Sequence, residues 1–208
     1  AYVGRVAVEK NLPAFLGLDL PGTKLVVGDG PQRKELERRY PDAVFVGMKL
    51  GAELASCFQR ADVFVFPSRT DTFGNVVLEA QACGVPVIVT DEGGPREAVV
   101  HGETGLVCGP SGRFTLAVAL ELLLRDHARR LQMGLAARRA ALEEHRAAGN
   151  RLAEGDAHRW LSRLAWFSGE NPAAEREAEL AVALLEPTGP GRELAMAYSN
   201  MSQLRMLS

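Results

Sequence analysis

The chain has 208 residues, 47% hydrophobic and 24% charged, enough apolar material for one well-buried domain and a smaller one. A formal net charge of −2 leaves no basic footprint, so nothing argues for nucleic acid or an anionic membrane as main partner, and an anionic ligand must be held locally. Three cysteines, Cys57, Cys83 and Cys108, cannot all pair and match no metal spacing, as expected of free thiols in a reducing, cytoplasmic setting.

Up to about residue 110, strands and helices alternate. Ala1 to Val3 reads as a strand, Leu12 to Leu16 as a helix, Lys24 to Val27 as a strand, Gln32 to Tyr40 as a helix, Ala43 to Val46 as a strand and Ala52 to Arg60 as a helix. Val63-Phe-Val-Phe66 is a short apolar run of β-formers ended by Pro67-Ser68, the pattern of a buried parallel strand. A helix is expected over Gly74 to Ala82, with Val77, Leu78 and Ala82 toward the sheet and Cys83-Gly84 at its end. Pro86 to Thr90 is the next strand, Pro95 to Val100 a short helix, and Leu106-Val107 a small strand after the turn His101 to Gly105. Thr115 to Leu124 and Asp126 to about Glu144 are helices that would cover the sheet. Strands joined by helical crossovers specify an α/β fold with a doubly wound parallel sheet.

The longest apolar stretch, Leu116 to Leu124, is too short to span a bilayer and contains Glu121, and no signal peptide is recognisable. The chain opens without methionine in Tyr2-Val3-Gly4-Arg5, as a piece of something longer would. Beyond residue 150, strand signals vanish and alanine, leucine and glutamate recur at helical spacing. Leu161-Ser-Arg-Leu164 returns as Met201-Ser-Gln-Leu204, an offset that also brings Ala157 onto Ala197. Leu161, Ala165, Gly169, Ala174, Ala178 and Ala181 resemble the packing positions of a tetratricopeptide-type helix pair, and the tail is expected to be an incomplete solenoid.

The most informative stretch is Asp71-Thr-Phe-Gly-Asn-Val-Val-Leu-Glu79, two carboxylates eight positions apart across a glycine-containing turn that opens an apolar helix. Asp71 with the amides of Thr72, Phe73 and Gly74 belongs at the carboxyl edge of the sheet, where open α/β folds bind ligands. Alternatively, an aspartate before a helix is a cap and a lone helical glutamate a solvated residue. Arg5 lies just past the first strand and Lys10 at the start of the next helix, where a fork and a point charge can meet a phosphate.

In order along the chain come Tyr2 to Leu12, Leu25-Val-Val-Gly-Asp-Gly-Pro31, Phe45-Val-Gly47, Ala61 to Ser68, Asp71 to Ala80, Ala82 to Pro86, Gly93-Gly-Pro-Arg-Glu97 and Gly102 to Leu106. Together they resemble the C-terminal, nucleotide-sugar-binding half of retaining glycosyltransferases of the GT-B fold, the group sharing an E-x7-E motif. Arg69 to Val76 is similar to the subgroup of bacterial mannosyl- and glucosyltransferases of glycolipid and polysaccharide assembly. Asp71 stands where most members have Glu, which keeps the charge and loses one methylene of reach.

The resemblance implies a nucleotide-sugar domain over 1–145 and a helical, tetratricopeptide-like segment over 146–208. It implies Arg5 and Lys10 on the diphosphate, Asp71 accepting from donor-sugar hydroxyls, and Phe73, Gly74 and Asn75 amides on phosphate or sugar, with Thr72 beside them. It also implies Glu79 on the ribose, Gly4 in the first turn, and the backbone of Val46, Gly47 and Met48 beside the base. Transfer would proceed by same-face attack, the leaving phosphate helping to take the acceptor proton.

No histidine has metal-ligand spacing and no Ser or Cys stands in a nucleophile elbow, so neither metal nor cofactor is expected. The donor would be a sugar nucleotide whose base and sugar stay open. The acceptor, a lipid or saccharide, would be held by a missing N-terminal domain, through which the protein would lie peripherally at the membrane. The isolated chain is expected to bind donor weakly and not to turn over. Alternatives are a sugar-nucleotide epimerase of the same fold, a scaffold binding a protein partner through the helical tail, and a junction of two unrelated proteins.

Overall fold

Six short strands form where β-branched and aromatic residues cluster: β1 (Tyr2–Val3), β2 (Leu25–Val27), β3 (Val44–Phe45), β4 (Phe64–Phe66), β5 (Val87–Thr90) and β6 (Gly105–Cys108). All pairings are parallel, within two three-stranded sheets ordered β1-β2-β3 and β4-β5-β6. The computed structural model describes residues 1–72, 74–109, 114–167 and 169–207. Ala1 links the sheets, its nitrogen donating to the Val63 carbonyl at 2.6 Å and its carbonyl accepting from Val65 N at 2.8 Å. Across the molecule the strands therefore run 3-2-1-4-5-6, and the order reverses between β1 and β4. Such a switch point opens a crevice at the carboxyl ends of the strands.

The connecting helices are α1 (Pro13–Leu16), α2 (Arg33–Arg39), α3 (Gly51–Gln59), α4 (Asn75–Ala82) and α5 (Leu116–Arg125). Helices on a parallel sheet cover both faces, which is why β4 and β5 are apolar at nearly every position. Phe64, Val65, Val87 and Ile88 are fully buried. Phe64 meets Phe58 edge to face at 5.6 Å and lies 6.2 Å from Phe66, which stacks on Tyr2 at 6.3 Å. Phe64→Ala empties the middle of this cluster and is expected to cost about 3–5 kcal/mol in urea unfolding; a loss below about 1 kcal/mol would contradict the packing described.

In α4 the buried face is Val77, Ala80 and Gln81, with Leu78 and Ala82 only partly covered, whereas the sequence puts Leu78 and Ala82 inward. Gln81 is only 3% exposed because its Nε2 donates to the Ala98 carbonyl at 2.9 Å and to Thr104 Oγ1 at 3.3 Å. A buried amide is tolerated when its hydrogen bonds are made.

The chain divides into two compact units, Ala1–Gly134 and Leu135–Ser208. The second holds most of α6 (His127–Ala147) and all of α7 (Arg151–Phe167), α8 (Asn171–Leu185) and α9 (Arg192–Leu207). Ala165, Ala174, Ala178 and Leu204 form one buried cluster, and Ala181, Val182, Leu185 and Ala197 another. Small residues at these positions let the helices approach closely. Gly169 is an exposed turn residue with φ 78°, not one of the packing positions. No helix among the described residues is long and apolar enough to cross a membrane.

Candidate functional site

Two loops meet at the switch point. After β1 the chain turns at Gly4, where the buried Tyr2 hydroxyl donates to the Arg5 carbonyl at 2.8 Å. Burial pushes the Tyr2 phenol up, with the Asp71 and Glu9 carboxylates adding to the shift, so it stays a neutral donor. The turn is also held from the β2 side: Gly4 N and Val6 N donate to the Val27 and Asp29 carbonyls, both at 2.9 Å. A Cβ on Gly28, at φ 135°, would lie 1.9 Å from the Gly4 carbonyl oxygen, so only glycine permits this approach.

Lys10 ends a 3-10 turn, Val8–Lys10, instead of starting the next helix. Asn11 follows in the left-handed region at φ 53°, and its Nδ2 donates to the Pro67 carbonyl at 3.3 Å. Ser68 Oγ returns a hydrogen bond to the Glu9 carbonyl, also at 3.3 Å. These two bonds tether the Lys10 turn to the loop after β4. They deliver Lys10 Nζ to Asp71 Oδ1 at 2.5 Å, with the two side chains 16% and 20% exposed. Asp71 Oδ2 is buried and has no partner among the described residues.

Arg5 differs. It is 66% exposed and only loosely paired with Glu9 at 3.5 Å. Such a surface pair contributes about 0–1 kcal/mol, so the fork is cheaply released to an anion.

The Asp71 loop is fixed from below by the Gly93-Gly94 pair. Gly94 N donates to the Asp71 carbonyl at 2.8 Å, and a Cβ on Gly94 would fall 1.8 Å from the Thr72 carbonyl oxygen. Gly74 caps α4, accepting from Val77 N at 2.7 Å. Asn75 and Val76 therefore stand at the first two helical positions, where amides find no partner inside a helix and an anion is favoured. Thr72 and Asn75 are exposed. Phe73 lies outside the described residues.

Glu79 is one turn further along α4, on an exposed position. Desolvation nonetheless raises its carboxyl above the ordinary value, an effect its exposure limits. Among the described residues, no ion pair joins it to Arg5 or Lys10. Gly47 is buried at φ 74°, its carbonyl accepting from Gly28 N at 2.8 Å, which sets it on the same carboxyl edge two strands from β1. Met48 beyond it is 68% exposed.

The structure thus brings Gly4, Arg5, Lys10, Asp71, Thr72, Gly74 and Asn75 to one edge, with Gly47 farther along it. Sequence reasoning missed the Tyr2 hydroxyl and the Asn11 and Ser68 tethers. Their only signal was polar residues beside apolar strand ends: the Tyr2 hydroxyl bonds only three residues ahead, whereas the partners of Asn11 and Ser68 lie 56 and 59 positions away. Among the described residues, no group of three or more His, Cys, Asp or Glu is placed to hold a metal ion.

A Rossmann-like unit with this crevice is one half of the GT-B glycosyltransferase architecture. Residues 2–126 match the family of group 1 glycosyl transferases, and the chain belongs to that family. It is 41% identical over 145 residues to a GDP-mannose-dependent alpha-mannosyltransferase of Mycobacterium tuberculosis (strain CDC 1551 / Oshkosh), covering 68% of this chain and 37% of the relative. With the sulfoquinovosyl transferase of Arabidopsis thaliana it shares 37% identity over 145 residues, covering 66% and 28%. The sucrose-phosphate synthase of Thermosynechococcus elongatus is similar in structure, with a TM-score of 0.61 and 33% identity over 67% of this chain and 39% of that one. The chain thus spans about a third of the length of the curated relatives it matches.

Proposed function

We propose that this chain is the donor-binding part of a retaining glycosyltransferase, with GDP-mannose as the donor. One observation carries the proposal: Arg5, Lys10 and Asp71 gather beside the start of α4 at the reversal of strand order. When the bond from the anomeric carbon to the diphosphate breaks, negative charge collects on the leaving group, and positive groups fixed beforehand stabilise it. The Arg5 fork and the amides of Asn75 and Val76 supply that charge without a metal. Lys10 adds a point charge that Asp71 holds in place, and Asp71 Oδ2 accepts from a sugar hydroxyl. Glu79, kept from full hydration, accepts from the ribose. The acceptor hydroxyl attacks from the same face and its proton leaves on the phosphate. GDP-mannose is favoured by the similarity to the mycobacterial mannosyltransferase.

Calorimetry with GDP and GDP-mannose tests this. The wild-type chain is expected to bind both weakly, with affinity unchanged by a chelator, and Arg5→Ala with Lys10→Ala to abolish binding. No transfer to an acceptor is expected from the chain alone, since the acceptor half would lie elsewhere in the whole protein. Binding that survives the paired substitution would remove the diphosphate assignment.

We also propose that the second unit is a helical repeat. Ala157 and Ala197, forty residues apart, are both buried, and Asn200 Nδ2 donates to the buried Ser162 Oγ at 2.8 Å.

A further inference from the structure

A polar cluster at the start of α2 has no part in the diphosphate chemistry. Arg33 Nε donates to Glu37 Oε1 at 2.8 Å, and its Nη1 donates to Asp29 Oδ2 at 3.1 Å. Two carboxylates gripping one guanidinium fix its plane, so little rotamer freedom is left to lose when the fork meets a ligand. Among the described residues, no hydrogen bond is made by Nη2, whose two donors can turn to a ligand. At 27% exposure the side chain is partly covered and still reachable from solvent.

The position of the cluster follows from the strand order. Along the carboxyl edge, Asp71 follows β4, Arg5 and Lys10 follow β1, Gly28 to Gly30 follow β2, and Gly47 follows β3. The loops interlock, with Gly28 N on the Gly47 carbonyl and Gln32 N on the Val6 carbonyl at 3.1 Å. Arg33 Nη1 would lie 3.2 Å from a Cβ placed on Gly47. A sugar nucleotide is linear: sugar, diphosphate, ribose, base. With its sugar at Asp71, its diphosphate at Arg5 and Lys10 and its ribose reached by Glu79, a base directed to the loops after β2 and β3 would meet Arg33.

We propose that Arg33 reads the nucleobase and selects guanine, an assignment that rests on the donor-site proposal above. Guanine offers O6 and N7 as adjacent acceptors, which a guanidinium fork meets with two parallel hydrogen bonds. Adenine puts an amino donor beside N7, which opposes an all-donor group. Uracil separates its two carbonyls by an N–H and has no N7. Asp29 and Glu37 keep the fork oriented.

The test is calorimetry on the 208-residue chain with GDP, ADP and UDP, for wild type, Arg33→Met, Arg33→Lys and Arg5→Ala, each with a thermal melt to verify folding. Wild type is expected to prefer GDP by about tenfold or more. Arg33→Met removes that preference, lowering GDP affinity to the level of UDP while UDP stays within about twofold. Arg33→Lys, which keeps the charge and loses the fork, does not restore it. A GDP preference that persists in Arg33→Met overturns the proposal, as does an equal loss for GDP and UDP. Wild-type preference for ADP or UDP, abolished by Arg5→Ala, leaves the donor site standing and overturns the role of Arg33. If wild type binds no nucleotide, both fall together.

Discussion

Replacing Lys10 by alanine is expected to weaken nucleoside-diphosphate binding by about 30- to 150-fold, the equivalent of a charge-assisted contact of about 2–3 kcal/mol. The same substitution costs stability, because Asp71 loses the ammonium that sits 2.5 Å from its Oδ1 while Oδ2 has no partner among the described residues. A fully buried pair broken on one side loses about 3–5 kcal/mol. With the two side chains 16% and 20% exposed, solvent reduces this, and about 2 kcal/mol is expected in urea unfolding. Removing both partners separates the two effects. Lys10→Ala with Asp71→Ala is expected to regain most of the stability, since no charge is stranded, and none of the binding. A double variant as unstable as the single one would show that Lys10 acts through packing against Phe66, whose ring centre lies 6.0 Å from Nζ, and not through its charge.

Gly28→Ala is the second large effect. The added Cβ would fall 1.9 Å from the Gly4 carbonyl oxygen, backbone against backbone, where no rotamer change gives relief. The loop must retreat, which breaks the hydrogen bonds from Gly4 N to Val27 and from Gly28 N to Gly47. At least about 3 kcal/mol is expected, a fall in Tm of roughly 6–12 °C for a chain of this size. Gly22→Ala is the matched control, at φ 100° with nothing within 4 Å of the new atom. Backbone strain alone then operates, and about 1 kcal/mol is expected. Equal losses at the two positions would refute the close approach as the cause. Gly28→Ala should also reduce nucleotide binding, because the same bonds set the turn that carries Arg5.

Local sequence made most of the elements legible. Val63 to Phe66 and Pro86 to Thr90 announce buried strands because a sheet covered on both faces needs unbroken apolar runs. Gly74 with the apolar residues after it announces α4. The inward face of α4 was not legible: Gln81 turned in and Leu78 stayed partly exposed. Hydropathy ranks the two the other way, and the groups that satisfy Gln81, the Ala98 carbonyl and Thr104 hydroxyl, come from segments seventeen and twenty-three residues later. The 3-10 turn at Lys10 was equally hidden, since Asn11 adopts its left-handed conformation while bonded to Pro67.

Sequence by itself determined that this is an α/β chain with Arg5, Lys10 and Asp71 near strand ends, because apolar period and turn chemistry are local properties. Only the tertiary structure decided that these three residues meet. Lys10 and Asp71 are 61 positions apart, and their contact exists because β1 and β4 lie side by side where the strand order reverses. Pairing between distant strands depends on the packing of the whole sheet, which no local pattern encodes. The same packing places Arg33 beside Gly47, so the proposed reader of the base emerged from the fold and not from the motif that first drew attention.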